Sequence, residues 1–599
     1  MDNIMKRKPL ILIIAVFSII ILAVISFKIF YFHIVSLVLD IPAPEYSVVV
    51  NKDIMVPMRD GTLLATDIYR PDTTESYPLI ITRTPYGKDN PEHKYSFAGK
   101  LFASQGYVFL CQDVRGKFNS EGDFYPYINE AIDGYDTVKW ASRQSWSSGK
   151  TGTYGFSYWG STQWLTAPVA GNSFNAMVPI VTSQNIYNRW VYNGIYRIND
   201  ILCWHYTNAP RVSRDADIIN WSEAVKHLPL IEADDALGQD IRHYNDWLLH
   251  PSPDTYWDAM NVDDRVSSIT APALIIDGWY DYYLDYAIED YNRMRKRSGS
   301  IKARESMLVI GPWIHTSGSK FDDVDFGKES GFMQNVKTIL RWYNHWLKDM
   351  DNGITDEGPI KIFVMGINQW RSEKEWPLAR TRFTRYYLHS NGKAATTLTD
   401  GLLSSEKPGT QPADSYTYDP KNPVPSIGGT SIYGDSVAGP ADQEKIESRN
   451  DVLVYSTPPL QEDLEVTGPI KLVFYASSST RDTDFFATLT DVYPGGKSIN
   501  LKTGGIRARF RKSLHREDFL TPGRVYKIEL EVGATSNVFR KGHRIRLQLS
   551  SSRFPEFSRN LNTGEPIGMS ADMVQADLKV LHDERHQSHL VLPVIPQEK

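Results

Sequence analysis

Apolar runs of strand length alternate with amphipathic stretches between about residues 46 and 355. Residues 130–143 show the helical pattern, with apolar side chains recurring at three- and four-residue spacing. The strand-like runs are residues 63–69, 78–83, 107–112, 151–154, 176–181, 273–277 and 307–310. Such alternation predicts an α/β fold built on a doubly wound, mostly parallel sheet.

Two regions depart from this alternation. Residues 185–267 are rich in Trp, Tyr, His and charge and have few continuous apolar strands, which predicts an inserted helical cap. From residue 356 onward, short β-type runs are separated by Gly, Pro and Asp, which predicts an all-β jelly roll. Its expected strands are residues 360–364, 385–388, 470–476, 484–489, 526–532 and 545–549. The predicted domains are thus 45–184 with 268–355 for the sheet, 185–267 for the cap and 356–599 for the jelly roll.

The N-terminal residues 1–44 carry a topogenic pattern. Lys6, Arg7 and Lys8 precede an uncharged apolar run from Leu10 to Phe27, a length suited to one membrane-spanning helix. No small-residue cleavage site closes the run, so the pattern predicts an uncleaved anchor rather than a removed signal peptide. The basic flank predicts that the N-terminus lies in the cytoplasm and that the folded domains lie outside, in the periplasm or at the cell surface. A buried core helix is the alternative interpretation.

Composition narrows the classes of function. The 599 residues carry a net charge of -6 with both signs interspersed, and no basic stripe supports binding to nucleic acid. The 14 histidines are scattered and form no metal-ligand motif, so we expect neither a metal nor a cofactor. A homo-oligomer is compatible with the sequence, which does not decide the point.

The segment Gly155-Phe156-Ser157-Tyr158-Trp159-Gly160 is the strongest chemical signal. It follows a strand-like run and precedes a stretch with helical character, with one more residue before the second glycine than the usual G-x-S-x-G pattern. A serine at such a sharp turn exposes its hydroxyl, and the Tyr158 amide then lies at a helix N-terminus next to a developing oxyanion. The alternative is an ordinary turn between two glycines.

An acid and a histidine follow in the order that this chemistry requires. Asp277 ends the run at 273–277, and Asp281 lies on the loop beyond, where ligand-facing residues are expected. His315 follows the next strand, within Gly311-Pro312-Trp313-Ile314-His315. Ser157 would be the nucleophile, His315 the general base and Asp281 the group that orients the imidazole. Tyr86, after the strand at 78–83, can offer its phenol as a second oxyanion donor or simply pack in a Pro-Gly turn.

These motifs and several others make the chain similar to the cocaine-esterase-like hydrolases, the CocE/NonD group, which are related to α-amino acid ester hydrolases and X-Pro dipeptidyl peptidases. The matching motifs are R-T-P-Y at 83–86, Q-D-V-R-G at 112–116, the serine turn, G-W-Y-D at 278–281, G-P-W-x-H at 311–315, D-V-Y-P at 491–494 and G-H-R-I-R-L at 542–547. The resemblance implies an α/β-hydrolase domain with a helical cap and a C-terminal jelly roll. It also implies a triad of Ser157, Asp281 and His315, with the Tyr86 hydroxyl and the Tyr158 N–H as oxyanion donors.

One departure from these relatives bears on the substrate. Where α-amino acid ester hydrolases carry adjacent acids after the triad Asp, this chain has Tyr282-Tyr283-Leu284, and Asp285 is the first acid. We therefore expect an uncharged small-molecule ester, or an amide, as the substrate. Aromatic side chains at Phe156, Trp159, Trp279 and Trp313 suggest an apolar pocket, with core packing as the alternative. An X-Pro dipeptidyl peptidase and a catalytically silent binding protein are the competing hypotheses.

Overall fold

Ten strands form the central sheet, and the computed structural model describes residues 30–434 and 437–596 of the chain. The strands are β1 (Val48–Pro57), β2 (Leu63–Pro71), β3 (Tyr77–Thr84), β4 (Val108–Asp113), β5 (Ser147–Phe156), β6 (Ala176–Ile180), β9 (Leu274–Tyr280), β10 (Met307–Ile314), β11 (Ile360–Val364) and β12 (Gln369–Glu373). Their order is β1-β2-β4-β3-β5-β6-β9-β10-β11-β12. Neighbours from β4 to β11 run parallel, while β1, β2 and β12 pair antiparallel at the edges. The predicted doubly wound α/β sheet is confirmed.

Helices cover both faces of this sheet. They are α1 (Tyr95–Ser104), α2 (Glu130–Ala141), α3 (Ser157–Ala170), α9 (Leu284–Arg297) and α10 (Asn335–Lys348). On β3, Leu79 and Ile81 belong to one buried cluster and Ile80 to the cluster on the opposite face. Alternate side chains of a strand point to opposite faces, so a strand buried on both sides must be apolar throughout. This is why the strand runs in the sequence are continuous rather than alternating.

An insertion between β6 and β9 covers one edge of the sheet. It contains the short helices α4 (Ile186–Trp190), α5 (Ile198–Asn208), α6 (Trp221–Ala224), α7 (Ala233–Ala236) and α8 (Arg242–Leu249), and a small hairpin of β7 (Val191–Tyr192) and β8 (Ile195–Tyr196). The side chains of Trp190, Trp204 and Trp247 are buried within it. Aromatic packing therefore holds this insertion together, as its composition suggests for the predicted helical cap.

The C-terminal part is an eleven-stranded β domain, consistent with the predicted jelly roll. Its strands are β13 (Arg382–His389), β14 (Leu402–Ser404), β15 (Asp414–Tyr418), β16 (Leu453–Ser456), β17 (Leu464–Ser478), β18 (Asp484–Val492), β19 (Ser498–Arg507), β20 (Tyr526–Phe539), β21 (Arg544–Ser550), β22 (Ala576–Leu581) and β23 (His589–Ile595). The order is β15-β22-β17-β23-β13-β14-β16-β21-β18-β19, with β20 paired to β17.

One predicted strand of the β domain belongs to the other sheet. β11 pairs parallel with β10, with Leu308 opposite Ile360 and Ile310 opposite Ile362. A short buried run carries no information about its partner, since both sheets accept the same apolar pattern. The boundaries at residues 184, 267 and 355 remain predictions.

The predicted membrane anchor requires a correction. Within the described residues, none of the helices combines the length and apolar character needed to cross a bilayer. The run from Leu10 to Phe27 lies outside the described residues, and of the following apolar stretch residues 30–39 are helical. The single-pass membrane topology, the membrane partner and the extracytoplasmic location inferred from it are therefore not supported.

Candidate active site

Ser157 lies at the junction where β5 ends and α3 begins. Its φ of 50° falls in the left-handed region that residues other than glycine rarely adopt. A Cβ on Gly155 would lie 2.3 Å from the Trp159 carbonyl oxygen, and one on Gly160 would lie 2.6 Å from Thr182 Cγ2. Both positions thus require glycine, including the one displaced by a residue from the usual pattern. The strain is the kind found where a fold holds a nucleophile in place.

Two tyrosines predicted as oxyanion donors adjoin this serine. The Tyr86 hydroxyl accepts a hydrogen bond from the Trp204 indole N–H at 3.1 Å. Burial raises the pKa of Tyr86, and the neighbouring Trp204 and Ser157 side chains partly offset this effect. Tyr158 is the second residue of α3, so its amide is among those without a partner inside the helix. Its phenol instead donates to Glu130 Oε1 at 2.8 Å, inside the core.

The predicted acid and histidine follow neighbouring parallel strands. Asp281 comes directly after β9 and His315 directly after β10, and the two strands pair through Tyr280 and Ile314 at this end. His315 Nδ1 lies 2.6 Å from Asp281 Oδ2, and Asp281 Oδ1 accepts the Tyr283 amide at 2.6 Å. Asp281 is fully buried. A carboxylate fixed in this way holds the imidazole in the tautomer that leaves Nε2 free to take a proton.

Asp277, the other acid considered on this strand, has a different environment. Its Oδ1 accepts the Gly278 amide at 2.7 Å, and its Oδ2 has no hydrogen-bond partner. Burial raises the pKa of Asp277 well above its usual range, and the charge of Asp281 adds to the effect. The environment of Asp277 thus favours its neutral form, whereas Asp281 contacts the imidazole.

Comparison with known proteins places these motifs in one family. The profile of the X-Pro dipeptidyl-peptidase (S15) family matches residues 60–317, and that of the X-Pro dipeptidyl-peptidase C-terminal non-catalytic domain matches residues 352–591. Cocaine esterase from Rhodococcus sp. (strain MB1 Bresler) is 35% identical over 577 residues, which cover 92% of this chain and 99% of that protein. The chain belongs to the cocaine-esterase-like (CocE/NonD) family. It is a serine hydrolase.

Solved structures agree on the architecture. An aminopeptidase from a marine sediment archaeon, Thaumarchaeota archaeon, superposes with a TM-score of 0.81 at 25% identity, covering 93% of this chain and 98% of that one. A selenomethionine-labelled α-amino acid ester hydrolase gives a TM-score of 0.77 at 24% identity, covering 92% and 98%. The second likeness is one of fold alone. Together they support the α/β-hydrolase fold of this CocE/NonD chain with its C-terminal β domain.

The predicted aromatic pocket residues of this CocE/NonD protein are largely buried. Trp279 and Trp313 are each 1% exposed, and their indole N–H groups donate to the carbonyls of Phe363 and Ser330 at 2.7 and 2.6 Å. Trp159 is also buried, while Phe156 is half-buried. As placed, the three indoles are part of the core. A pocket role for Phe156, Trp159, Trp279 and Trp313 stays a prediction.

Sequence reasoning did not single out the residues that hold the donors in place. Arg83, from the R-T-P-Y motif, donates from Nε to Gln112 Oε1 at 2.8 Å and places NH1 2.8 Å from Glu130 Oε2. Glu130 in turn receives the Tyr158 phenol. Arg83 and Gln112 of the family motifs therefore belong to a buried polar network that reaches Tyr158 through Glu130. The available signal was an Arg in an otherwise apolar strand run, because a buried charge requires a partner.

Across residues 30–434 and 437–596 of this CocE/NonD chain, no three His, Cys, Asp or Glu side chains are grouped so that they can hold a metal ion.

Proposed function

We propose that this protein is a serine esterase that hydrolyses uncharged carboxylic esters through an acyl-enzyme on Ser157. Two observations support the proposal: His315 Nδ1 lies 2.6 Å from Asp281 Oδ2, and Ser157 occupies a strained strand-to-helix turn. Because Nδ1 is used by the carboxylate, Nε2 takes the proton of Ser157 as the hydroxyl oxygen attacks the ester carbonyl.

The proposed reaction then balances in two stages. The tetrahedral oxyanion is stabilised by the Tyr86 hydroxyl and the Tyr158 amide, and the alkoxide leaves with the proton from His315. Water attacks the acyl-Ser157 ester, gives its proton to His315 and releases the carboxylic acid as Ser157 recovers its own. The Trp204 N–H occupies a lone pair of the Tyr86 oxygen, so the phenolic proton is directed toward another acceptor.

The carboxylates around the site support an uncharged substrate. Asp285, the first acid after the triad loop, accepts the Ala534 amide at 2.7 Å and lies 2.9 Å from Lys502 Nζ. Asp200 is similarly paired with Arg189 at 3.2 Å. Recognition of a substrate ammonium requires a carboxylate that is not already neutralised, and neither of these is free.

X-Pro dipeptidyl-peptidase activity is the second candidate, supported by the matching S15 profile and the likeness to an archaeal aminopeptidase. A matched pair of substrates separates the two. The p-nitrophenyl esters of isovalerate and of valine differ only in an α-ammonium group, and Ala-Pro-p-nitroanilide reports the peptidase reaction. We expect the full-length protein to prefer isovalerate by about 10-fold or more in kcat/KM, the order of one unmatched charged group.

A higher kcat/KM for valine p-nitrophenyl ester or for Ala-Pro-p-nitroanilide would contradict the esterase proposal. Labelling by a fluorophosphonate, followed by mass spectrometry of the modified peptide, checks the nucleophile independently of substrate choice. The label is expected on Ser157 and absent from the Ser157→Ala variant.

A further inference from the structure

The ring of Tyr282, the residue that follows Asp281, lies between two other planar groups. The ring of Tyr282 stacks on the imidazole of His315, with centroids 4.4 Å apart and planes inclined by 28°. The guanidinium carbon of Arg189 lies 3.5 Å from the centroid of the same phenol ring. One face of a six-membered ring has no room for two planar groups at such distances. Arg189 and His315 therefore lie on opposite faces of Tyr282.

The arginine in this stack is itself held from two directions. Arg189, on α4 of the cap, is buried and places NH1 3.2 Å from Asp200 Oδ2. The other oxygen of Asp200 accepts the hydroxyl of Ser431 at 2.6 Å, and Ser431 comes from the β domain. The Asn199 side-chain amide donates to the same hydroxyl at 3.0 Å. A chain of contacts thus runs from the β domain through the cap to the imidazole.

We propose that Tyr282 is a positioning residue for His315 and that Arg189 fixes the plane of Tyr282, an inference that rests on the proposed function. The bond to Asp281 restrains one atom of the imidazole but leaves rotation of the ring about that contact. Stacking restrains the plane of the ring and thereby fixes the direction of Nε2. A cation held against the other face gives the phenol a fixed position because cation–π attraction is strong when both groups are buried.

The first arm of the test changes the ring. Tyr282→Leu is expected to lower kcat for an accepted ester by about 10- to 100-fold, the cost of misplacing a reacting group, while KM changes by less than about 3-fold. Tyr282→Phe keeps the stacked ring and is expected to stay within about 3-fold of the wild type in kcat. Tyr286→Leu is the matched control, because Tyr286 packs against Tyr192 and Phe557 in a separate cluster. It is expected to leave kcat within about 3-fold.

The second arm of the test changes Arg189 and its partner Asp200. Arg189→Met combined with Asp200→Asn removes the cation without leaving an unpaired buried carboxylate, and is expected to lower kcat by about 10-fold. Arg189→Lys, which keeps a charge but not the planar group, is expected to recover only part of that loss. Melting temperatures of all variants show whether any loss of kcat follows from unfolding at the assay temperature.

The outcomes separate this inference from the function on which it rests. If Ser157→Ala is inactive while Tyr282→Leu keeps kcat within about 3-fold of the wild type, the positioning role falls and the esterase proposal stands. The positioning role also falls if Tyr282→Phe loses as much kcat as Tyr282→Leu. If Ser157→Ala keeps its activity, the esterase mechanism itself is wrong.

Discussion

Two groups of Ser, His and Asp side chains can be compared among the described residues: the proposed triad of Ser157, Asp281 and His315, and a group in the β domain. In the β domain, Ser390, His582 and Asp414 are all buried. His582 Nε2 lies 2.9 Å from Asp414 Oδ2 and 3.0 Å from Ser390 Oγ, so one nitrogen faces both partners. A relay requires the acid on one ring nitrogen and the serine on the other. The β-domain group therefore lacks the geometry of a relay, whereas in the proposed triad Asp281 occupies Nδ1 of His315 and leaves Nε2 for the serine.

The two serines differ as much as the two histidines. Ser390 donates to Asp414 Oδ2 at 2.7 Å and accepts the Gly392 amide at 3.0 Å, so its hydroxyl is committed to structural bonds. Ser157 instead has a φ of 50° at the start of a helix and is half-buried. Asp414 also accepts the Tyr455 hydroxyl at 2.7 Å. The β-domain group thus links strands through buried hydrogen bonds, whereas the proposed nucleophile Ser157 is strained and partly exposed.

The sharpest way to break this comparison is to remove each serine in turn. Ser157→Ala is expected to lower kcat by roughly 10⁵-fold or more, because nothing else supplies the nucleophile. Ser390→Ala is expected to leave kcat within about 3-fold while lowering the melting temperature, since it removes a buried hydrogen bond. Steady-state kinetics on an accepted p-nitrophenyl ester and thermal unfolding measure both. Equal loss of activity in the two variants would show that the groups are not functionally distinct.

Amide substitution of the two acids extends the comparison. Asp281→Asn is expected to cost about 10³- to 10⁴-fold in kcat, because an amide favours the wrong imidazole tautomer. Asp414→Asn removes a charge that receives several hydrogen bonds and is expected to cost about 1–3 kcal/mol of stability, with little change in kcat. Denaturant unfolding and kinetics of the same samples provide the measurement. A catalytically normal Asp281→Asn enzyme would remove the acid from the proposed triad.

Removal of a proposed oxyanion donor is expected to give the next largest loss of kcat. Tyr86→Phe removes one donor and is expected to lower kcat by about 10²- to 10³-fold with KM little changed. The matched control is Tyr127→Phe, because Tyr127 is also buried and stacks on Tyr158 at 4.3 Å. Its rates should stay near those of the wild type. A Tyr86→Phe variant as active as that control would assign the second donor elsewhere.

The smallest expected effect concerns Asp277, the buried acid on β9. Burial raises the pKa of Asp277 well above its usual range, so at neutral pH the unfolded chain is ionised there and folding takes up a proton. Stability from the neutral form is full below the unfolded pKa and is lost as the pH rises toward the folded pKa. Asp277→Asn needs no proton, so it should raise the melting temperature more at pH 8 than at pH 5. A gain that is the same at both values would show that Asp277 is already ionised in the fold.

The sequence signals for the candidate site are local. Ser157, Asp281 and His315 each follow a strand-like run, and strands that are parallel neighbours bring such positions to one edge of the sheet. The required glycines at 155 and 160 were visible for the same reason. The residues that brace the site were not visible: Arg189 and Trp204 come from the cap, and Glu130 begins a helix that looks ordinary in sequence. Their roles depend on packing between segments far apart in the chain.

By itself, the sequence determined the alternation of buried strands and helices, the aromatic insertion, the β-rich C-terminal part and the order of serine, acid and histidine. Apolar periodicity and turn residues report how each segment is buried, and that information is contained within a few residues. Only the tertiary structure decided that β11 joins the hydrolase sheet, that the imidazole faces Asp281 rather than Asp277, and that Tyr282 lies between Arg189 and His315. In each case the competing partners have similar local sequence patterns. The free energy that selects one of them therefore comes from contacts that form when distant segments pack together.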